Sequence, residues 1–201
     1  PYPVSGVHGH GTGDLLDAVY DCLGEPEASE QDDDSIKVAI IGKPNSGKSS
    51  LLNRLAGEER AIVSDVAGTT RDTLDSIVEN AEGTFTFIDT AGLRKKSRIF
   101  DRIEKYSVLR CQMAVERADV CLIMIDATEG VTEQDTKVAG LAHESGKGCI
   151  IVVNKWDIIE KDTHTMDNFR KDLDITFAFM SYAPYVFISA KTGQRVDRLF
   201  E

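Results

Sequence analysis

Short apolar runs alternate with longer amphipathic stretches along the chain from residue 36 onward. Three runs, Ile36–Ile41, Val120–Ile125 and Cys149–Val153, are almost continuously apolar and rich in β-branched residues. Such runs are typical of strands buried on both faces of a parallel sheet. A shorter run, Tyr185–Ile188, predicts the last strand of the same sheet. The alternation of strands with helical stretches predicts an α/β fold.

Helical spacing of apolar residues predicts helices from about Gly47 to Ala56 and from about Glu133 to Ser145. Two further strands, Leu74–Asn80 and Thr84–Asp89, flank the turn pair Glu82-Gly83 and predict an antiparallel hairpin. The expected architecture is a mostly parallel six-stranded sheet with one antiparallel strand and helices on both faces. A last helix is predicted to begin at Gly193, and we expect it to be incomplete at residue 201.

The first 35 residues differ in composition from the rest. Residues 25–35 contain six acidic residues and almost no apolar ones, which predicts a solvated linker. Before it, Gly13–Leu23 has helical apolar spacing and Pro1–Val4 is a candidate edge strand. One strand and one helix do not bury a core. Residues 1–24 are therefore expected to be the end of a preceding domain, and residues 36–201 a second domain.

Composition narrows the class of protein only slightly. The chain has 201 residues, a formal net charge of -11 and a pI near 4.8, so it carries no direct signal for nucleic-acid or anionic-membrane binding. Its four cysteines show no CxxC pairing, which favours buried thiols in a reducing compartment. Neither a membrane span nor a basic-apolar leader is apparent, so we expect a cytoplasmic protein.

The most informative motif is the phosphate loop Gly42–Ser49, with the sequence GKPNSGKS. It matches GxxxxGK[ST] and lies between a predicted strand and a predicted helix, which is the context that gives the pattern its meaning. Backbone N–H groups of such a loop cradle phosphates, Lys48 would reach the β and γ phosphates, and the Ser49 hydroxyl would ligate Mg²⁺. The fold class is thereby predicted to be that of a P-loop NTPase.

Two other segments are candidates for the γ-phosphate and metal site. Asp89 to Gly92 (DTAG) follows a predicted strand, where a carboxylate would lie near Mg²⁺ and the Gly92 amide near the γ phosphate. The loop Gly68 to Asp72 (GTTRD) offers hydroxyl groups that would close over the metal. Thr70 is the preferred ligand there, and Thr69 is the alternative.

The segment Asn154 to Asp157 (NKWD) follows another buried strand and predicts recognition of guanine. The Asp157 carboxylate would accept hydrogen bonds from N1–H and the 2-amino group of guanine, whereas adenine offers neither donor. The Lys155 stem would lie over the purine, and Asn154 would tie this segment to the phosphate loop. Ser189 to Lys191 (SAK) closes the last strand and would turn a backbone amide toward guanine O6.

These motifs, in this order and spacing, resemble the guanine-nucleotide motifs of the translation-factor-related GTPases. The flanking segments DTAGLRKKSRI, IEKYSVLR, AVERADVCLIMIDATEGVTEQD and YAPYVFISAKT resemble the second G domain of the EngA (Der) family, bacterial GTPases with tandem G domains and a C-terminal KH-like domain. Ser5 to Leu16 looks like the end of that family's first G domain, with Gly6 where Ala is usual. The resemblance implies a fragment without the KH-like domain.

The resemblance further implies a GTPase that acts in assembly of the large ribosomal subunit, with ribosome or rRNA as partner of the full-length protein. GTP or GDP and Mg²⁺ are the implied cofactors. Leu93 stands where Ras-like switches carry the glutamine that orients water. The resemblance implies that K⁺, bound with Asn45 as a ligand, supplies the charge that an arginine finger supplies elsewhere. The alternative is that Asn45 only supports the phosphate loop through local hydrogen bonds. The basic stretch Leu93–Ile103 is expected to be the mobile second switch, or else a solvated loop.

The predicted site residues fall into three groups. Those expected to take part in catalysis are Lys48, Thr70, Asn45 and Gly92. Those expected to bind the nucleotide are Asn45, Ser46, Gly47, Lys48, Ser49, Ser50, Asn154, Lys155, Asp157, Ser189, Ala190 and Lys191. Those expected to bind the metal are Ser49, Thr70 and Asp89.

Two other classes of function fit parts of the pattern. A P-loop kinase or ATPase would share the phosphate loop, although NKWD and Thr70 argue against it. A nucleotide-binding module with negligible turnover would retain all the motifs. Competition between GTP and ATP distinguishes the first class from a GTPase, and single-turnover hydrolysis in K⁺ distinguishes the second.

Overall fold

The computed structural model describes residues 3–5, 11–13, 15, 18, 35–57, 75–88 and 104–200, with the side chains of 104–108 and 110 excepted. The chain divides into two compact units, Pro1–Asp34 and Ser35–Glu201. In the first unit, residues 12, 13, 15 and 18 are helical and residues 3–5 have no regular structure. Gly11 has a positive φ of 75°, and a Cβ there would lie 2.2 Å from the Pro3 carbonyl oxygen, so this position requires glycine.

The described part of the second unit forms six strands and four α-helices. The strands are β1 (Ile36–Gly42), β2 (Ser76–Asn80), β3 (Gly83–Phe87), β4 (Val120–Asp126), β5 (Gly148–Asn154) and β6 (Tyr185–Phe187). The helices are α1 (Lys48–Gly57), α2 (Glu104–Arg117), α3 (Glu133–Glu144) and α4 (Thr165–Thr176), with 3₁₀ turns at Ala178–Met180 and Asp197–Leu199.

The strands form one sheet in the order β2-β3-β1-β4-β5-β6. Only β2 pairs in the antiparallel direction, with β3, and every other pair is parallel. Turn residue Asn80 accepts hydrogen bonds from the N–H groups of Glu82 and Gly83, which fixes the hairpin. The predicted six-stranded, mostly parallel sheet is confirmed.

Two cores lie on the two faces of the sheet, as the continuous apolar runs predict. On one face, Val38, Ile40, Leu122 and Met124 pack against α1. On the other face, the alternate strand residues pack against α2, α3 and α4; this set includes Ala39, Ile41, Cys121, Ile123, Ala114, Ala139 and Leu173. Because side chains alternate along a strand, each apolar run supplies both cores at once.

Two helices, α2 and α4, were not predicted from the apolar pattern. In α2, the residues that join the core have helical spacing but are small: Cys111, Ala114, Val115 and, directly after the helix, Ala118. The larger Leu109 and Met113 are exposed. In α4, Leu173 is the only fully buried residue, and Met166 and Phe169 pack against the same core at helical spacing from it. Each helix therefore has a narrow apolar stripe that its other residues obscure in the sequence.

The segment after β6 differs from the predicted helix that begins at Gly193. Gly193 has a φ of 84° and Arg195 a φ of 58°, and a backbone bridge joins Ser189 to Gln194. Positive φ values are incompatible with a right-handed helix. Helical geometry begins only at the 3₁₀ turn Asp197–Leu199, and the continuation of a last helix stays a prediction.

Three of the cysteines lie in the described residues, and all are free thiols. Cys121 and Cys149 are buried on neighbouring strands, and Cys111 is half-buried. Burial raises the pKa of the Cys121 thiol to about 12, which keeps it protonated and unreactive. In the part of the chain that the structure describes, no helix has the length and apolar character needed to cross a membrane.

The sheet topology places the loop after β1 at the point where the strand order reverses. Strand β1 has β3 on one side and β4 on the other, so the strand order reverses at its carboxyl end. In the sheet register Gly42 at the end of β1 pairs with Met124, and Asp126 at the end of β4 pairs with Asn154. The loops that follow β1, β4 and β5 therefore lie together at one edge of the sheet.

Candidate functional site

The phosphate loop connects β1 to α1 and depends on its two glycines. Gly42 has a φ of 143°, and a Cβ there would lie 2.5 Å from the Met124 carbonyl oxygen. Gly47 has a φ of 101°, and a Cβ there would lie 2.0 Å from Asn154 Nδ2. Only glycine combines such backbone angles with the missing side chain. The spacing of the motif is thus set by two close contacts with neighbouring strands.

Lys48 begins α1, and its side chain returns to the start of the loop. The Lys48 ammonium donates hydrogen bonds to the carbonyl oxygens of Gly42 at 2.8 Å and of Lys43 at 2.6 Å. Burial lowers the pKa of Lys48 to about 8, although nearby Cys111 and Asp135 oppose this shift. The loop therefore holds a partly desolvated ammonium against its own backbone, where an anionic ligand would favour the charged form and raise this pKa.

Asn154, at the carboxyl end of β5, joins two loops. Its Nδ2 donates to the Ser46 carbonyl oxygen at 2.8 Å, and its Oδ1 accepts from the Ala190 N–H at 2.9 Å. All three residues are buried. The predicted tie between Asn154 and the phosphate loop is present, and a second tie to the SAK segment accompanies it.

Lys155 has a left-handed backbone, with a φ of 64°. Its ammonium forms a short ion pair with the buried Asp126 carboxylate, which also accepts hydrogen bonds from the N–H and hydroxyl of Thr128. Burial alone would raise the pKa of Asp126, but these hydrogen bonds lower it below its ordinary value. Asp126 therefore stays ionised and anchors the Lys155 side chain at the edge of the sheet.

Asp157 lies beside a cavity of about 270 Å³ that opens next to the phosphate loop. The cavity is lined by Gly47, Ser50, Asn154, Lys155, Asp157, Ile158, Ser189, Ala190 and Lys191. Asp157 Oδ1 is buried and has no hydrogen-bond partner in the protein. Because an unsatisfied buried acceptor is costly, this oxygen marks a place where a ligand donor fits.

The SAK segment forms a tight loop against the same cavity. The Ser189 hydroxyl accepts a hydrogen bond from the Thr192 N–H at 3.1 Å, and the Ser189 carbonyl accepts one from the Gly193 N–H at 2.8 Å. The Ala190 N–H is already directed to Asn154. Lys191 lines the cavity, so a backbone amide facing a base would come from Lys191.

The predicted site residues therefore divide into those that the structure brings together and those outside the described residues. Eight of the predicted residues border the cavity: Gly47, Ser50, Asn154, Lys155, Asp157, Ser189, Ala190 and Lys191. Asn45 and the buried Ser46 lie in the phosphate loop, and Lys48 and Ser49 lie in the first turn of α1. Thr69, Thr70, Asp89, Gly92 and Leu93–Ile103 lie outside the described residues. Among the described residues, no group of three His, Cys, Asp or Glu side chains forms a metal cluster.

A charged group that the sequence does not predict lies at Lys43 in the phosphate loop. The Lys43 ammonium is buried and lies 2.8 Å from Glu129 Oε2 and 3.4 Å from Asp135 Oδ2. Asp135 in turn accepts hydrogen bonds from the N–H and hydroxyl of Thr132 at the start of α3. This group ties the loop to α3. Its only signal in the sequence is the Thr132 to Asp135 capping-box spacing.

Similarity to known proteins identifies the family to which the chain belongs. The sequence model for 50S ribosome-binding GTPases matches residues 37–155, from β1 through the first half of NKWD. The chain belongs to this family of GTPases.

Curated relatives named GTPase Der narrow the relationship. The relative from Acetivibrio thermocellus is 61% identical over 98% of this chain and 45% of its own length. The relative from Caldicellulosiruptor saccharolyticus is 57% identical over 100% of this chain and 46% of its own length. The predicted resemblance to the EngA (Der) group is confirmed, and the chain spans a little under half the length of these relatives.

Solved structures support the same fold. Era from Aquifex aeolicus, bound to GDP and aluminium fluoride, is 35% identical, with a TM-score of 0.61 over 81% of this chain and 54% of that one. Era in complex with MgGDPNP and a segment of 16S ribosomal RNA is 32% identical, with a TM-score of 0.60 over 82% of this chain and 54% of that one.

The close contact at Gly47 gives a first testable prediction. Gly47→Ala should lower the free energy of unfolding by about 3 kcal/mol, because the new Cβ displaces the Asn154 amide and strains the backbone. Urea denaturation measures the change. Gly57→Ala is the matched control, since Gly57 ends the helix that Gly47 precedes, has nothing within 4 Å of an added Cβ and should cost nothing. Equal stability of the two variants would contradict the role assigned to Gly47.

Proposed function

We propose that this chain is a GTP-binding domain that hydrolyses GTP to GDP and phosphate and acts as a conformational switch. Membership of a family of GTPases supports the class of reaction. The loops after β1, β5 and β6 supply a phosphate end and a base end to one site at the edge of the sheet. The unpartnered carboxylate oxygen of Asp157 carries the choice of guanine.

Asp157 favours guanine over adenine because its buried Oδ1 has no hydrogen-bond donor within the protein. Its Oδ1 needs a donor, and guanine offers N1–H and the 2-amino group on the edge opposite its ribose. Adenine in the same pose offers no donor at position 1 or 2. A site built to hydrogen-bond one ligand rejects an analogue without the matching group by about 10⁴-fold or more.

The phosphate end would use Lys48 and the loop backbone. The Lys48 ammonium, already directed into the loop, would contact the β and γ phosphates, and α1 presents its N-terminal amides beside it. Ser49, together with Thr70 and Asp89, would hold Mg²⁺, because oxygen ligands suit this ion. When bound, Mg²⁺ would balance the charge on the phosphates. Gly92 would donate its amide to the γ phosphate.

Hydrolysis needs another means of assisting the attacking water, because Leu93 follows DxxG in place of glutamine. We propose that K⁺ binds beside the loop with Asn45 as a ligand. Asn45 is exposed and has a left-handed backbone with a φ of 62°, so its amide oxygen is accessible to a cation. The added charge would compensate the phosphates in the transition state, as an arginine finger does.

The family description, 50S ribosome-binding GTPase, supports a role with the large ribosomal subunit. In the full-length protein, the GTP state would govern contacts with the ribosome or rRNA. The net charge of -11 opposes a broad electrostatic attraction to RNA, so such contacts would use a local basic segment such as Leu93–Ile103 or other parts of the full-length protein.

The choice of base is tested by Asp157→Asn. The amide presents donors as well as an acceptor, so affinity for GDP should fall by about 10³-fold or more, and affinity for xanthosine diphosphate, which has a carbonyl at position 2, should rise. Titration with fluorescent nucleotides measures both. Asp162→Asn, on the same connection but outside the cavity, is the control.

Two outcomes would overturn the proposal. The first is equal competition by ATP and GTP in the unaltered protein, which would favour a kinase or ATPase. The second is GTP binding without hydrolysis in single-turnover experiments with K⁺ and Mg²⁺, which would favour a binding module.

The cation hypothesis predicts a salt effect on hydrolysis. The rate should be higher in K⁺ than in Na⁺ at equal ionic strength, and Asn45→Ala should remove most of this difference because it removes a ligand. Phosphate release at saturating GTP measures the rate, and GDP affinity in both salts shows that binding is retained. Equal rates in the two salts, or an unchanged salt effect in Asn45→Ala, would exclude the hypothesis.

A further inference from the structure

Arg54, in the second turn of α1, reaches the loop that closes the base cavity. Its Nη2 donates to the Lys191 carbonyl oxygen at 2.5 Å, and its Nε lies 3.4 Å from the Ala190 carbonyl oxygen. The guanidinium also packs at Gly193, where a built Cβ would lie 3.6 Å from its Cζ. Arg54 therefore holds the SAK loop from the side of α1.

The loop is held from two sides. From the sheet, Asn154 Oδ1 accepts the Ala190 N–H. From α1, Arg54 binds the next two carbonyl groups, those of Ala190 and Lys191. Within the loop, the Thr192 N–H bonds to the Ser189 hydroxyl. These contacts fix the peptide groups on either side of Lys191.

Because the peptide bond is planar, the hydrogen bonds from Arg54 also affect the direction of the Lys191 N–H. In a trans peptide the C=O and N–H groups point in opposite directions. Arg54 draws the Ala190 carbonyl toward α1, and this turns the Lys191 N–H away from α1. Lys191 lines the cavity that Asp157 borders, and the Ala190 N–H is already used by Asn154. The Lys191 amide is thus the donor that remains for a ligand.

We propose that Arg54 is a positioning residue for the base: it aims the Lys191 N–H at the 6-oxo group of a bound purine. The inference rests on the proposed guanine site and adds a determinant at its opposite edge. Asp157 reads the donors at positions 1 and 2, whereas the loop held by Arg54 reads the acceptor at position 6. Arg54 itself does not touch the nucleotide.

The test pairs variants of Arg54 with a change in the base. In 6-thio-GDP the N1–H and 2-amino group remain, but sulfur accepts hydrogen bonds weakly. The unaltered protein should prefer GDP to 6-thio-GDP. Arg54→Ala should weaken GDP binding about tenfold, the effect of one misplaced hydrogen bond, while the affinity for 6-thio-GDP should change much less. The preference for GDP should therefore collapse.

A general loosening of the fold would act differently, because it would weaken both ligands by the same factor. Arg54→Lys keeps the charge and roughly the length of the side chain but lacks the planar guanidinium, so it should show an intermediate preference for GDP over 6-thio-GDP. This variant also provides the test if Arg54→Ala does not fold. Arg198→Ala, on the exposed 3₁₀ turn that follows the loop, is the control and should bind both ligands normally. Thermal denaturation of each variant verifies folding.

Hydrolysis provides a second readout. Because Arg54 acts at the base and not at the γ phosphate, Arg54→Ala should raise KM for GTP about tenfold and leave kcat unchanged. An equal loss of affinity for GDP and 6-thio-GDP, or an Arg54→Ala variant that behaves like Arg198→Ala, would overturn the inference. If the unaltered protein binds ATP as well as GTP, the proposed guanine site itself is wrong, and the two failures are thus distinct.

Discussion

The two hydrogen bonds of the Asn154 side chain are the interaction on which the site depends. One bond fixes the phosphate loop at Ser46, and the other fixes the SAK loop at Ala190. Both are buried, so losing either would leave a polar group unsatisfied in the interior. The amide needs the space that Gly47 leaves free. The site therefore requires both residues together: Asn154 makes the two hydrogen bonds, and Gly47 leaves room for its amide.

Charged side chains lie in and beside the loops that Asn154 connects. Lys48 lies inside the loop with a pKa lowered to about 8 by burial, and Lys43 lies behind it against Glu129 and Asp135. Asp126 holds Lys155 at the base end. Each of these ammonium groups has an ion-pair or carbonyl partner within the protein, whereas Asp157 Oδ1, like Ser46 Oγ and Asp135 Oδ1, is a buried oxygen without a hydrogen-bond partner. Of these three oxygens, only that of Asp157 belongs to a residue that borders the cavity, where a ligand can reach it.

Helix α1 connects the two ends of the site. Its first turn carries Lys48, and its second turn carries Arg54, about 9 Å further along the axis. Leu51, Leu52 and Leu55 are buried against the sheet and fix the helix in place. The ligand contacts at the phosphate end and the position of the SAK loop at the base end therefore both depend on one rigid helix. This arrangement helps a nucleotide to contact both ends of the site at once.

The sequence by itself determined the sheet and most of the site. Continuous β-branched runs leave few alternatives to buried parallel strands, and the phosphate loop and NKWD have chemistry that depends on residue type and spacing. The apolar pattern did not reveal α2 or α4, although both have core residues at helical spacing. In α2 most of the buried residues are small and the larger Leu109 and Met113 are exposed. In α4 the stripe is narrow and most other residues are charged or polar, so the period is weak in the sequence.

Tertiary structure alone decided which groups meet. Arg54 lies 137 residues before Lys191, and Lys43 lies 92 before Asp135. Neither separation has a local signature, because these contacts arise when distant strands align at one edge of the sheet. The positive φ values of Gly193 and Arg195 likewise delay the helix that the sequence predicts after the SAK loop. Residue type determined what each side chain offers, and the fold determined what it faces.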